Sequence, residues 1–113
     1  MAPGYNEPRD RTARAIFLKD VEGVDWSEVV VGNMDGPDPD SGTCWECGYG
    51  YKRKRIIVFR SDFRQADEAG LCPFNLMLTE SADEVLLLPF RGVYEIAEAI
   101  DGAIKRIKQG VVA

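Results

Sequence analysis

The residues best suited to chemistry lie in one run, Asp38-Pro39-Asp40-Ser41-Gly42-Thr43-Cys44-Trp45-Glu46-Cys47-Gly48-Tyr49-Gly50-Tyr51, which loads a loop and a helix start with carboxylates and glycines. It follows an apolar run, Glu28 to Met34, and precedes another, Ile56 to Phe59. A carboxylate in the first turn of a helix, just past a buried strand, stands where open α/β sheets gather their ligands. The positive pole of such a helix favours the ionised form of a nearby Glu, which can then serve as nucleophile or base. Glu46 is the first candidate for that role. Asp20, Asp40 and Glu46 could converge on one sheet edge, where facing carboxylates divide nucleophilic and proton-transfer work. Each also has a structural reading. Thr43-x-x-Glu46 fits a capping box, in which the glutamate folds back to the amide of the cap residue. Asp38 and Asp40 fit turn chemistry beside Pro and Gly, and Asp20 fits a frayed helix end as well as a wet pocket.

Composition narrows the choice of chemistry. The 113 residues contain no histidine, which excludes serine-histidine and cysteine-histidine catalysis and imidazole zinc sites within one chain. Carboxylates are left to do any acid-base work. The three cysteines, Cys44, Cys47 and Cys72, form one CxxC without a second pair, too few ligands for a closed zinc site, so they are expected to be structural and no metal is expected. No glycine run has dinucleotide spacing and no Gly-Lys-Ser/Thr occurs, so no cofactor is expected. With 14 Lys plus Arg against 19 Asp plus Glu, the net charge of -5 disfavours a nucleic-acid partner. The one basic cluster, Lys52-Arg53-Lys54-Arg55, reads either as a phosphate or nucleic-acid patch or as a solvated helix end that complements the negative pole. Neither a signal peptide nor a run of about 18 apolar residues is present, which predicts a cytoplasmic protein with no membrane partner.

Those side chains must be positioned by a small α/β domain. Residues 1–10 read as a flexible arm, and residues 11–113 as one domain. Arg11 to about Gly23 predicts a helix, with Ala13, Ile16, Phe17, Val21 and Val24 on one face and Asp20 on the same stripe. The Val29-Val30-Val31 run predicts a buried parallel strand over Ser27 to Met34, broken by Gly36-Pro37-Asp38-Pro39-Asp40. A second helix is expected from Ser41 or Thr43 to about Lys54, despite Gly48 and Gly50, and Ile56 to Phe59 predicts a second strand. Arg60 to Gly70 reads as a polar loop with a helical turn, and Cys72 to Leu78 as an apolar patch with one amide. Glu84 to Leu88 predicts a third strand, and Val93 to Lys108 an amphipathic helix. This order implies a small parallel sheet covered on both faces.

The run Asp40-Ser-Gly-Thr-x-x-Glu46-x-Gly-Tyr-Gly-Tyr, then a basic turn and Ile56-Ile57-Val58, resembles the nucleoside 2-deoxyribosyltransferase family, whose signature is Asp-x-Gly-Thr-x-x-Glu-x-Gly-Tyr-Ala before a strand. Asn75-Leu76-Met77 matches the family's Asn-x-Met element, and Asp20 stands where the family places an Asp at a helix end. The resemblance implies a flavodoxin-like, Rossmann-like fold and double displacement at a nucleoside N-glycosidic bond. Glu46 would attack the anomeric carbon, and Asp20 and Asp40 would contact and protonate the departing base. Gly42, Asn75 and Met77 match substrate-binding positions, the last two reaching a neighbouring subunit's pocket, so self-association is implied. The partners implied are a nucleoside or nucleotide and a free nucleobase. Family members begin with a strand and a glycine-rich turn of the Tyr-Leu-Ala-Gly-Pro type; this sequence lacks it, and Tyr5 has no such context. Two alternatives keep the pocket and change the outcome: a nucleoside 5'-monophosphate N-glycosidase with water as acceptor, and a noncatalytic nucleotide-binding module.

Overall fold

Consecutive β-branched residues leave little choice but extended backbone, and both Val/Ile runs form neighbouring strands. The structure, a computed structural model, describes residues 11–62 and 73–110. Its elements run α1 (Arg11–Trp26), β1 (Val29–Asn33), α2 (Ser41–Gly50), β2 (Arg55–Arg60), α3 (Leu76–Ser81), β3 (Glu84–Leu87) and α4 (Val93–Lys108). The three strands form a parallel sheet in the order β1-β2-β3, with Val30 opposite Ile56 and Val58 opposite Val85. This is the expected α/β architecture, consistent with a flavodoxin-like fold.

Because side chains alternate along a strand, β2 feeds both faces of the sheet. Ile56 and Val58 join Met34, Cys47 and Phe74 in the core beneath α2 and α3. Ile57 points to the other face, where α4 packs and where Ala103 is fully buried. Gly32 decides how closely α2 approaches β1. A Cβ at that position would lie 2.9 Å from Cys47 Sγ and 2.9 Å from Met34 Cε, so any larger residue there forces those side chains to shift. Burial, with the charges of Cys44 and Glu46, pushes the Cys47 thiol up to about 11, which keeps it protonated and inert near neutrality.

Three sequence expectations need correction. Helix α2 ends at Gly50 rather than near Lys54, and Lys52 turns the chain at a φ of 72°. The basic cluster therefore occupies a turn and the first residue of β2, not a helix end. Its side chains hold neighbouring elements together: Arg53 pairs with Asp25 at 3.4 Å, Lys54 Nζ donates to the Asp25 carbonyl at 2.7 Å, and Arg55 pairs with Asp83 at 3.2 Å. Where only an apolar patch was expected, α3 forms, capped by Asn75 Oδ1, which accepts from the Met77 amide at 2.8 Å. Helix α1 also continues three residues past Gly23, to Trp26. The expected arm over residues 1–10 with Tyr5, most of the expected loop before Gly70, and Cys72 lie outside the described residues. Among the described residues no helix is long and apolar enough to cross a membrane.

The C-terminal ends of β1 and β2 are cross-tied. Asp35 accepts from the Ser61 hydroxyl and from the amides of Ser61 and Asp62, while Asp62 Oδ2 accepts from the Gly36 amide at 2.7 Å. Burial alone would raise the Asp35 pKa. The Ser61 hydroxyl, with the two amides and Asn33, outweighs it and holds the carboxyl below its ordinary range. This lattice of bonds fixes where the acidic loop leaves the sheet.

Candidate active site at helix α2

Asp40, not Thr43, caps α2. Its Oδ2 accepts from the Thr43 amide at 3.0 Å and from the Thr43 hydroxyl at 3.2 Å. A capping box between Thr43 and Glu46 is therefore not formed, because Thr43 is already the third residue of the helix. Glu46 accepts no hydrogen bond from another described residue, and its carboxylate is left half-buried on the flank of α2 that faces α1.

The electrostatics of that flank run against the sequence expectation. Six residues into the helix, Glu46 lies past the turn where the positive pole is felt. Burial raises its pKa first, and the charges of Asp20 on α1 and Asp40 at the cap raise it further. The structure thus brings the charges of Asp20 and Asp40 within electrostatic reach of Glu46, which holds its proton more tightly than a lone carboxylate does. Among the described residues no three His, Cys, Asp or Glu side chains lie close enough together to hold a metal ion.

An aromatic row sets the spacing between the two helices. Phe17 meets Trp45 edge-on at 5.5 Å, Trp45 stacks on Tyr49 at 5.1 Å, and the Tyr49 hydroxyl donates to Asp25 at 2.8 Å. Arg53 covers the Tyr49 ring at 4.3 Å. Sequence reasoning passed over Trp45 and Tyr49, although their spacing of four residues places them on one helix flank. By fixing α1 against α2 they hold Asp20 beside Glu46.

The opposite flank of α2 borders a groove of about 790 Å³ against α3. Ser41, Cys44 and Gly48 line it from α2 and Tyr51 from just past the helix end, Met77 and Leu78 from α3 and Asn75 from its cap, with Asp38 from the acidic loop. Met77 is 72% exposed. Within one chain, then, Asn75 and Met77 face a different side of α2 from Glu46. Gly42 sits in the first turn, where a Cβ would lie 3.2 Å from Asp40 Oδ2, so its lack of a side chain leaves room for the cap.

A comparison with curated proteins finds no match. The family model described as nucleoside 2-deoxyribosyltransferase matches residues 2–77, well over half of the chain, and this span includes the whole acidic loop, α2, and Asn75 to Met77. The chain belongs to the nucleoside 2-deoxyribosyltransferase family.

Proposed function

We propose that this protein transfers or cleaves at the N-glycosidic bond of a (deoxy)nucleoside through a covalent glycosyl-Glu46 intermediate, with a nucleobase as acceptor. A Glu46 carboxylate oxygen bonds to the anomeric carbon while the bond from that carbon to the base nitrogen breaks, and the electron pair leaves with the base. A carboxylic acid of the cluster, Asp20 or Asp40, supplies the proton that makes the base a better leaving group. A second base then attacks the anomeric carbon and expels the Glu46 carboxylate; water in its place gives hydrolysis. The observation that carries this reading is the freedom of Glu46: the Thr43 amide that would tie it down is held by Asp40. Asn75 and Met77 stand on the far flank of α2, which supports a role for them in a neighbouring subunit's pocket rather than their own. The single domain over residues 11–113 and a cytoplasmic setting belong to the same proposal.

Incubation with deoxyinosine and adenine tests it. Deoxyadenosine and hypoxanthine are expected, and denatured enzyme is expected to carry a deoxyribosyl adduct on the peptide holding Glu46. Release of hypoxanthine alone assigns the hydrolase, and binding without turnover or adduct overturns the proposal.

The raised pKa of Glu46 has a readable consequence. The ionised form is the nucleophile, so activity falls as pH drops through that pKa, and the fall begins at a higher pH than an unperturbed glutamate would give. Asp20→Asn removes one of the charges that raise it, so the acid limb of the normalised pH–rate profile should move to lower pH even where the maximum rate drops. An unmoved limb would show that the Asp20 charge does not act on Glu46.

A further inference from the structure

At the end of the sheet opposite the acidic loop, the basic turn meets the entries to all three strands. A pocket of about 430 Å³ opens there, lined by Lys52, Arg53 and Lys54 from the turn, Arg55 from the first position of β2, and Glu28 and Asp83 from just before β1 and β3. Its size is that of a small-molecule site. It shares no residue with the cluster of Asp20, Asp40 and Glu46.

Charge gathers at this end against the trend of the chain. The net charge is -5, yet four consecutive cations here face three carboxylates, Asp25, Glu28 and Asp83, and two of those are already committed. Asp25 takes Arg53 at 3.4 Å and the Tyr49 hydroxyl at 2.8 Å, and Asp83 takes Arg55 at 3.2 Å and the Ile56 amide at 2.7 Å. Lys54 Nζ reaches only the Asp25 carbonyl, at 2.7 Å. The Lys52 ammonium lies 5.9 Å over the Tyr51 ring and makes no ion pair with a described residue. Two ammonium charges thus stand without a carboxylate partner among the described residues, against Glu28, which is exposed and likewise unpaired among them.

Lys52 also carries the turn at a φ of 72°, which glycine adopts freely and a lysine only against steric resistance. Its amide donates to no described residue, so the backbone N–H and the ammonium both remain for an anion. Trp26, 86% exposed, stands in the chain between Asp25, which holds Arg53 and Lys54, and Ser27 on the pocket wall. An indole at that rim offers a flat face to a nucleobase. We infer that this pocket binds a nucleoside triphosphate, with its phosphates on the Lys52 and Lys54 ammonium groups and the Lys52 amide and its base against Trp26. The site goes beyond the glycosyl-transfer reading and does not rest on it.

Calorimetric titration with ATP in magnesium-free buffer at low salt tests it. Saturable binding with a dissociation constant below about 1 mM is expected, weakening as salt is added. Lys52→Gly separates binding from folding: glycine takes the turn without resistance, so the urea midpoint should hold or rise while ATP binds at least about fivefold more weakly. Glu28→Gln removes the opposing charge and should tighten binding. Tripolyphosphate should bind more weakly than ATP, and Trp26→Ala should abolish that difference. Glu46→Ala should bind ATP as the parent does, which keeps this site distinct from the reaction at α2. No binding at about 5 mM ATP, a Lys52→Gly variant that binds like the parent, tripolyphosphate as tight as ATP, or binding lost with Glu46→Ala would each overturn the inference.

Discussion

Glu46→Ala is expected to lower base exchange by about 10⁴-fold, the scale of losing a covalent nucleophile, while shifting unfolding free energy by no more than about 0.5 kcal/mol. Both halves of that result follow from the same geometry. Without Glu46 there is no oxygen to bond the anomeric carbon, and neither Asp20 on α1 nor Asp40, held at the cap by Thr43, occupies the same place. Stability is spared because Glu46 accepts no hydrogen bond from another described residue, and burial and the charges of Asp20 and Asp40 raise the energy of its charge rather than relieve it. Removing it ends a like-charge contact. A glutamate serving as a helix cap behaves in the opposite way, with a stability loss of about 1 kcal/mol and no change in turnover. The pair of measurements, base exchange by chromatography and urea unfolding, separates the two roles in one variant. Asp40→Ala gives the internal contrast: it should lose about 1 kcal/mol by uncapping α2.

What could be read from the sequence follows from how local each signal is. The Val29–Val31 and Ile56–Val58 runs needed no tertiary information, since consecutive β-branched residues exclude most other conformations. Helix α4 was legible to the residue because sixteen positions repeat one apolar face. Helix α3 was not, because six residues are too few to show a period and its stability comes from the Asn75 cap and from Thr79 and Leu78 beneath it. At the site, the acidic loop and Glu46 stood out by residue type. Which residue caps α2 could not be decided, because Asp40 and Thr43 are both good caps three residues apart, and only the backbone path shows that Asp40 wins the Thr43 amide. The separation of Asn75 and Met77 from Glu46 is likewise a matter of helix flanks in three dimensions. Arg60 gave the least warning. It reads as the first residue of a polar loop, yet it closes β2 with 2% of its surface exposed.

Arg60→Met is expected to destabilise the protein by about 3–5 kcal/mol, the cost of taking one partner from a buried charged network. Its Nε donates to the Met34 carbonyl at 2.9 Å, and its two terminal nitrogens donate to the carbonyls of Gly36 at 3.2 Å and Pro73 at 3.4 Å. Asp62 lies 3.7 Å away as counter-charge, and the Phe74 ring packs against the guanidinium at 5.1 Å. One side chain thus ties the exit of β1, the end of β2 and the approach to α3, which are the segments that aim the acidic loop and Asn75. Methionine fills much of the volume but leaves three carbonyls without the donors that Arg60 supplies and removes the charge that faces Asp62. Since small domains are stable by only about 5–15 kcal/mol, Arg60→Met sits near the limit of folding, and Arg60→Lys supplies the second reading. An ammonium keeps the charge beside Asp62, but it cannot spread donors over three carbonyls in different directions, so a loss of about 1–3 kcal/mol remains. If lysine restores full stability in urea unfolding, the counter-charge alone matters. If it falls short by that margin, the planar fork of donors is what holds the loop ends in register with α2 and α3.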